Sequence, residues 1–379
     1  MEDKFKQLVS AGDPKNRTRW AREWQKQGKK VIGVLDSLVP EEVIYAAGML
    51  PWRIQGSWHE DVSRAMTYRH PQGNTFLNHV LESFLAGELD FLDAMVCSNR
   101  DEDFRRFRDY WEWLDKKHPA YIIEVPTKDT EKTRQRFTTK IRDFIGFLEE
   151  MGKVKLDNNT LRKAIAIYDK GYSLLRKIHE LRKKEVPPLS GSEALGITTA
   201  AMVMPRDEFN KELEELLPYL VQRKAEVSHP RPRVLLSSDM LDNPAYVELV
   251  EQAGCLVAMD DLDNGSRYLW KTTDGNSQEP AYDLARRYIQ NGSPRMFDWR
   301  GQIGQIVKWV REYNIDGVLE LVDMFDYPRS FRRPYLEKWL KEEGIPSMSF
   351  DRDYCLANVG QLKTRIGAFL EILQAKAAG

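Results

Sequence analysis

The sequence predicts an α/β protein of two Rossmann- or flavodoxin-like lobes with mainly parallel sheets, joined by a helical connector. Short apolar runs of strand length alternate with amphipathic helical segments towards both ends of the chain, the pattern of a parallel sheet covered on both faces. Between them lie long charged helical segments without a convincing strand. With 379 residues, 42% hydrophobic and 30% charged, the chain has the length for two or three domains and the apolar content for ordinary cores.

The first lobe, residues 1–127, opens with a charged helix over about 17–27 and the buried strand VIGVL at 31–35. Pro40 then precedes EEVIYAAG, a short helix with acidic residues at its start and Gly48 at its stop, and WRIQG follows as a strand. TFLNHVLESFL has helical spacing up to Leu85, AMVCS at 94–98 reads as a strand, FRRFRDYWEWLDKK as a helix and YIIEVP as the next strand.

In the connector, residues 128–228, the helices are TRQRFTTKIRDFIGFLEEMG, NNTLRKAIAIYDKGYSLLRKIHELRKKE and FNKELEELLPYLVQRK, and the basic cluster LRKIHELRKKE reads as a solvated helix face. HPRPR at 229–233 is a linker. In the second lobe, residues 229–379, the strands VLLSSD, CLVAMDD, GVLELVD and SMSFD are separated by helices such as AYVELVEQAG, IGQIVKWVREYN and PYLEKWLKEEG. These strands end in Ser237, Ser238, Asp239, Asp260, Asp261, Asp323 and Asp351; ligands of open parallel sheets bind at such carboxyl ends, so the tips outline a pocket.

Fifty-seven basic against 58 acidic residues give a net charge of -1, so no global field favours nucleic acid or an anionic membrane, and an anionic ligand must be held by local arginines. No apolar run reaches the roughly 18 residues of a membrane span, and the N-terminus has no signal-peptide core, so a cytoplasmic protein is expected. Cys97, Cys255 and Cys355 are too few and scattered for a disulfide framework, and without a CxxC pair a classical zinc site is not expected. His70 and His79 flank the GNTF segment, where a metal would need a further ligand brought by folding. Trp52, Trp58, Trp270 and Trp299 either stack a ligand ring or fill core and interface. Walker A, GxSxG and HExxH patterns are absent.

Five segments in order carry a family resemblance: VPEEVIYAAGMLPWRIQG at 39–56, LAGELDFLDAMVCSNRDEDFRRFRDYW at 85–111, YIIEVP at 121–126, VAMDDLDNGSRYLW at 257–270, and residues 315–353 from IDGVLELVDMFDYPRSFRRPYLEKW to SMSFDRD. The chain resembles the D-component family of 2-hydroxyacyl-CoA dehydratases, which also holds the active-site subunits of ATP-dependent benzoyl-CoA reductases. The resemblance implies a heterodimer of two similar subunits enclosing [4Fe-4S] clusters and an acyl-CoA substrate, served by a separate ATP-hydrolysing iron-sulfur activator that injects a low-potential electron to make a thioester ketyl. Benzoyl-CoA-type reduction is the favoured reaction, 2-hydroxyacyl-CoA dehydration the alternative; whether a flavin takes part is left open. A third reading is a cluster-less, non-catalytic partner that stabilises the heterodimer.

Relative to the family, the expected cysteines are missing: none lies in YRHPQGNTFLNHV, the second ligand position falls nearer Arg100 than Cys97, and Phe325 occupies the third. Cys97 is the one candidate cluster ligand, Cys255 and Cys355 are read as buried structural thiols, and a cluster would be held by the partner subunit. Asn264, Gly265, Ser266 and Arg267 follow a strand, where backbone donors and a guanidinium can hold a carbonyl or phosphate oxygen; alternatively Arg267 pairs with Asp260 or Asp261 in a turn. Glu42 matches the family's P-x-E position and either faces the cleft or supports a helix N-terminus. Ser266, Arg267 and Glu42 are the catalytic candidates, Asn264 and Gly265 substrate-binding ones. Arg329, Arg332 and Arg333 either contact CoA phosphates or a partner, or form plain surface charge.

Overall fold

The computed structural model describes residues 1–379 except 57–59, 71, 225–230, 276, 294, 297, 356–358 and 379, and the side chains of 377 and 378. Trp58 and the start of the HPRPR linker lie outside the described residues. The first sheet comprises β1 (Val31–Val34), β2 (Leu50–Arg53), β3 (Ala94–Ser98) and β4 (Ala120–Ile123), all parallel in the order β2-β1-β3-β4. The second comprises β5 (Arg233–Ser237), β6 (Leu256–Asp261), β7 (Gly317–Asp323) and β8 (Ser347–Arg352), all parallel in the order β6-β5-β7-β8. Each lobe therefore has the doubly wound topology with one switch point, between β1 and β3 in the first and between β5 and β7 in the second.

Both sheets are buried on two faces, which is why their strands read as continuous apolar runs. Alternation along the first sheet sends Ile32, Val34, Ala94 and Val96 to one core and Val31, Met95 and Cys97 to the other. The second core receives Phe104, Phe107 and Trp111 from the helix Glu102–Leu114, started by Asp101, whose carboxylate accepts from the Phe104 N–H at 2.9 Å. Each such side chain contributes about 1.5–3 kcal/mol over its exposed state, so the two faces together hold the lobe.

Of the central helices Glu131–Gly152, Asn158–Leu181 and Arg206–Gln222, the last two are separated by Gly191–Ala201, a mostly buried helix that the sequence reading passed over because its apolar residues form no periodic stripe. They pack on the lobes as well as joining them: Asn158–Leu181 lies along the helix Glu41–Ala46 of the first lobe. The helix Pro280–Ile289, which follows β6 in sequence, packs on Glu131–Gly152 and puts Ala281, Leu284, Tyr288 and Ile289 into the core of the first sheet.

Two expectations are corrected. The cluster LRKIHELRKKE is not a solvated face throughout, since His179 and Arg182 are buried and Arg182 donates to the Val257 carbonyl at 2.7 Å and to Asp260 at 3.2 Å. The helix read from Pro334 begins at Tyr327, shortly after β7, and carries Pro334 inside it. Its start is set by Asp326, whose carboxylate accepts from the Arg329 N–H at 3.1 Å, after Phe325 turns the chain with φ +67°.

Candidate functional site

The two switch points face each other, and charged side chains fill the space between them. From the tip of β3 the Arg100 guanidinium reaches across to the second lobe, where it pairs with Asp239, just past β5, and donates to Asp263 at 3.0 Å. Asp263 also accepts from the Ser37 hydroxyl at 2.6 Å, beyond β1, and lies 3.6 Å from Arg53. Burial opposes ionisation of Asp239, but Arg100, Arg267 and Arg329 outweigh it and hold its pKa down at about 2. The same carboxylates and Asp326 keep the Arg100 pKa well above its usual value against the desolvation that lowers it.

Arg267 is bound by the loop after β6. Its two terminal nitrogens each lie 3.0 Å from a carboxylate, Asp261 and Asp239, in a fork that a lysine would not reproduce. Asp261 in turn accepts from Ser237 at 2.8 Å and lies 3.5 Å from Arg332 and 3.7 Å from Arg329. Of the two readings of Arg267, pairing with Asp261 is the arrangement found. Its neighbours are spent on structure: Asn264 donates to the Leu241 carbonyl of the segment after β5 at 2.7 Å, while within the turn the Ser266 N–H donates to Asp260 at 2.7 Å and its hydroxyl to the Asp260 carbonyl at 2.6 Å. A Cβ at Gly265 would stand 2.3 Å from the Asp260 carboxylate, so only glycine lets the turn close. Asn264, Gly265 and Ser266 thus support the loop, and the adjoining cavity is lined by Asp261, Arg267 and Trp270 on either side of them.

Arg329 and Arg332 are completely buried, which corrects the surface-charge reading; both pair with Glu320, at 3.1 and 3.2 Å. Arg333 does face outward and pairs with Asp351 at 3.0 Å. Glu42 is buried beneath Tyr288 and Tyr172, which donate to it at 2.7 and 3.3 Å, with Arg287 at 3.5 Å. Burial raises its pKa, and Arg287 and Tyr288 offset only part of that. Glu41 beside it joins Arg53 at 2.9 Å to the Tyr268 hydroxyl at 2.6 Å, locking the first lobe to the loop that carries Arg267.

A cavity of about 710 Å³ opens between the lobes against this network. Asp261 and Arg267 form its inner wall; Trp270 and Trp309, edge to face at 4.9 Å, form an aromatic side; Lys128 and Lys271 stand among its lining residues with Asn291 and Gln302. Most of the other lining residues are polar or charged, with Ile289 and Met296 adding to the apolar side, so the cavity suits an organic ligand that carries polar or charged groups. A second cavity of about 510 Å³ holds Arg100, Arg105, Arg295, Trp299 and Phe331. Trp52 is a core residue, its indole N–H donating to the Arg17 carbonyl at 3.1 Å.

The cysteines do not converge. Cys97 points into the first-lobe core, its sulfur 3.9 Å from the Phe104 carbonyl, and burial pushes its thiol well up, the reverse of what a thiolate ligand needs. Cys255 lies in a different core with its thiol raised to about 12 by burial, and Cys355 is only half-buried, correcting the buried reading. Among the described residues no set of thiolates fits a [4Fe-4S] cubane, and Arg100, in its ion pairs, occupies the register expected of a ligand.

Sequence reasoning missed the cavity wall formed by Gln290, Asn291 and Gly292, which have a loop-like composition, and by Gln302 and Gln305 on the helix Trp299–Glu312, and it missed Asp263, signalled only as a third acidic residue after Asp260 and Asp261. It noted Arg100 as a missing cysteine and not as a cation.

Two doubly wound lobes meeting at their switch points, with a cavity between them, define an α/β protein with an interlobe cleft, the place where open parallel sheets bind ligands. The chain belongs to the 2-hydroxyglutaryl-CoA dehydratase D-component family, whose model matches residues 36–373. It is 24% identical to an (R)-phenyllactyl-CoA dehydratase beta subunit of Clostridium sporogenes and 25% identical to an (R)-2-hydroxyglutaryl-CoA dehydratase beta subunit of Acidaminococcus fermentans, each over 93% of this chain and 94% of the relative. It is 22% identical to one of the benzoyl-CoA reductase subunits of Thauera aromatica, over 93% of this chain and 94% of that one. Relatives of both reaction types are therefore subunits of acyl-CoA enzymes. Among the described residues no helix is long and apolar enough to cross a membrane.

Proposed function

We propose that the chain is a beta-type subunit of an acyl-CoA complex that works through a low-potential ketyl radical, with 2-hydroxyacyl-CoA dehydration as its reaction. The observation that carries the reading is the interlobe cavity with the Arg267–Asp261 pair on its wall, in a chain of this family. Dehydration is preferred to benzoyl-CoA reduction on the names of the relatives at 24% and 25% identity; the reduction expected from the sequence is the second reading, supported by the reductase relative at 22%.

The acyl end of the thioester lies against the face formed by Trp270 and Trp309, and Arg267, whose terminal nitrogens are held by Asp261, Asp239 and the Ser238 carbonyl, supplies positive potential to the thioester oxygen from the inner wall, with Nε–H as its remaining donor. Asp239 and Asp261 fix that guanidinium, and the buried network behind it excludes water, which strengthens each charge contact. Lys128 and Lys271 at the same cavity suit the phosphates of coenzyme A. Glu42, Ser266, Asn264, Gly265, Arg329 and Arg332 act as positioning residues behind the wall. The chain's own donors suit no cluster, so the [4Fe-4S] chemistry resides on a paralogous partner, fed by a separate ATP-hydrolysing activator in an oxygen-free cytoplasm.

The partner docks, in this reading, on the helix Tyr327–Glu342, whose exposed Tyr327, Phe331 and Tyr335 recur every fourth residue and continue to Trp299, its ring tilted against Tyr335 at 5.3 Å. Within the chain we keep the division into lobes 1–127 and 229–379 with a connector 128–228.

The test is Arg267→Ala in the complex assembled with its partner and activator, assayed on phenyllactyl-CoA and on benzoyl-CoA. The expected result is turnover of the first, reduced by about 10²-fold or more in the variant with assembly intact. Unchanged turnover in R267A overturns the assignment, and reaction of benzoyl-CoA alone favours the second reading.

A further inference from the structure

Beyond the cleft, folding brings together three side chains of metal-ligating type from opposite lobes. His79 sits on the first-lobe helix Thr75–Leu85, whereas Asp353 and Cys355 follow β8 in the second lobe, and one ligand atom of each lies within 4.8 Å of the other two. The turn is built to hold this arrangement. The Tyr246 hydroxyl meets the Asp353 and Cys355 carbonyls at 2.8 and 2.7 Å, and between these residues Tyr354 lays its ring against the His79 imidazole at 4.9 Å and donates its hydroxyl to Asp242 at 2.7 Å. His79 is buried, while Asp353 and Cys355 line a separate cavity of about 150 Å³ that includes Phe350, Leu362 and Arg365.

We propose that His79, Asp353 and Cys355 bind a divalent cation of borderline softness, zinc in the first place, as a clasp between the two lobes. The donor set selects the ion: one thiolate, one imidazole and one carboxylate suit zinc, whereas calcium and magnesium require oxygen ligands and a cubane requires more thiolates. Bonds of about 2.0 Å to nitrogen and oxygen and about 2.3 Å to sulfur put tetrahedral ligands roughly 3.5 Å apart, so the side chains need close by only about 1 Å. A thiolate and a carboxylate neutralise the dication, and the adjoining cavity leaves room for water in the fourth position. The ion binds groups that are adjacent only when both lobes are folded and docked, so it raises the stability of that arrangement.

The experiment uses the full chain, purified without oxygen, stripped with chelator and titrated with cobalt(II) and with zinc. Metal content, iron and sulfide, the cobalt absorption spectrum and the melting temperature are read. The expected result is one zinc or cobalt per chain, a thiolate-to-cobalt charge-transfer band, and a rise in Tm on zinc addition. Cys355→Ser should lose the band and Asp353→Asn should weaken binding by about 10-fold or more, both with an unchanged circular dichroism spectrum, while Cys255→Ser keeps full binding. His79→Gln alters a packed position and is read together with those two. A cobalt spectrum without a thiolate band, a band that survives in Cys355→Ser, less than about half an equivalent of metal, or iron and sulfide bound through Cys355 overturns the proposal. Turnover of the assembled complex does not enter any of these readings, so the proposal stands or falls independently of the cleft.

Discussion

Replacing Arg100 with methionine tests whether the charge network at the two switch points holds the lobes together. The substitution keeps the volume but leaves Asp239 and Asp263 buried without the cation they share. Removing one partner of a buried pair costs about 3–5 kcal/mol. Here the lower end applies, because Asp239 keeps Arg267 at 3.0 Å and Asp263 keeps the Ser37 hydroxyl at 2.6 Å and Arg53 at 3.6 Å. The lowered pKa of Asp239, from 3.8 to about 2, runs in the same direction: its cations outweigh the desolvation that opposes ionisation. A carboxylate with a lowered folded pKa contributes stability that is full above the unfolded value and lost as pH falls towards the folded one. The R100M deficit should therefore be about 3 kcal/mol at pH 7 and shrink between pH 4 and pH 2. Urea unfolding followed by tryptophan fluorescence measures it, and R100M combined with Asp239→Asn should recover about 1 kcal/mol of coupling. A deficit under about 1 kcal/mol at pH 7, or strict additivity with Asp239→Asn, refutes the reasoning.

Asp326 predicts the opposite pH dependence. Burial, then repulsion from Asp239, raises its pKa from 3.8 to about 8, so its contribution to stability is present below pH 4 and lost as pH rises to 8. Asp326→Asn, which can still cap the helix Tyr327–Glu342, should match the wild type at pH 4 and exceed it by more than about 1 kcal/mol at pH 8.5; a variant less stable at pH 8.5 contradicts the assignment. Phe331→Asp with Tyr335→Asp, at exposed positions, should leave the melting temperature of the isolated chain within about 2 °C while lowering affinity for the partner subunit by 10-fold or more, measured by titration calorimetry. Equal affinity would move the partner to another face.

The two-lobed architecture was legible because parallel strands buried on both faces must be largely apolar, as VIGV and AMVCS are, and because Gly48 punctuates its neighbours by local chemistry. The family segments at 39–56, 257–270 and 315–353 were legible for the same local reason, and of these 257–270 lines the cavity through Asp261, Arg267 and Trp270. Residue roles within those segments were not. Ser266 and Asn264 have the composition of a ligand-binding turn, yet Ser266 closes the turn on Asp260 and Asn264 ties it to Leu241; Arg329 and Arg332 have the composition of surface charge, yet Glu320 and Asp261 draw them inside.

By itself the sequence determined the strands, the parallel topology and the family, since each depends on the periodicity and chemistry of neighbouring residues. Tertiary structure decided which charges meet: Arg100 with Asp239 and Asp263, Glu42 with Tyr288, and His79 with Asp353 and Cys355 are pairings across more than a hundred residues. A long side chain's partner is set by which strand tips the docked lobes bring together, and that geometry follows from packing of the whole core rather than from any local pattern.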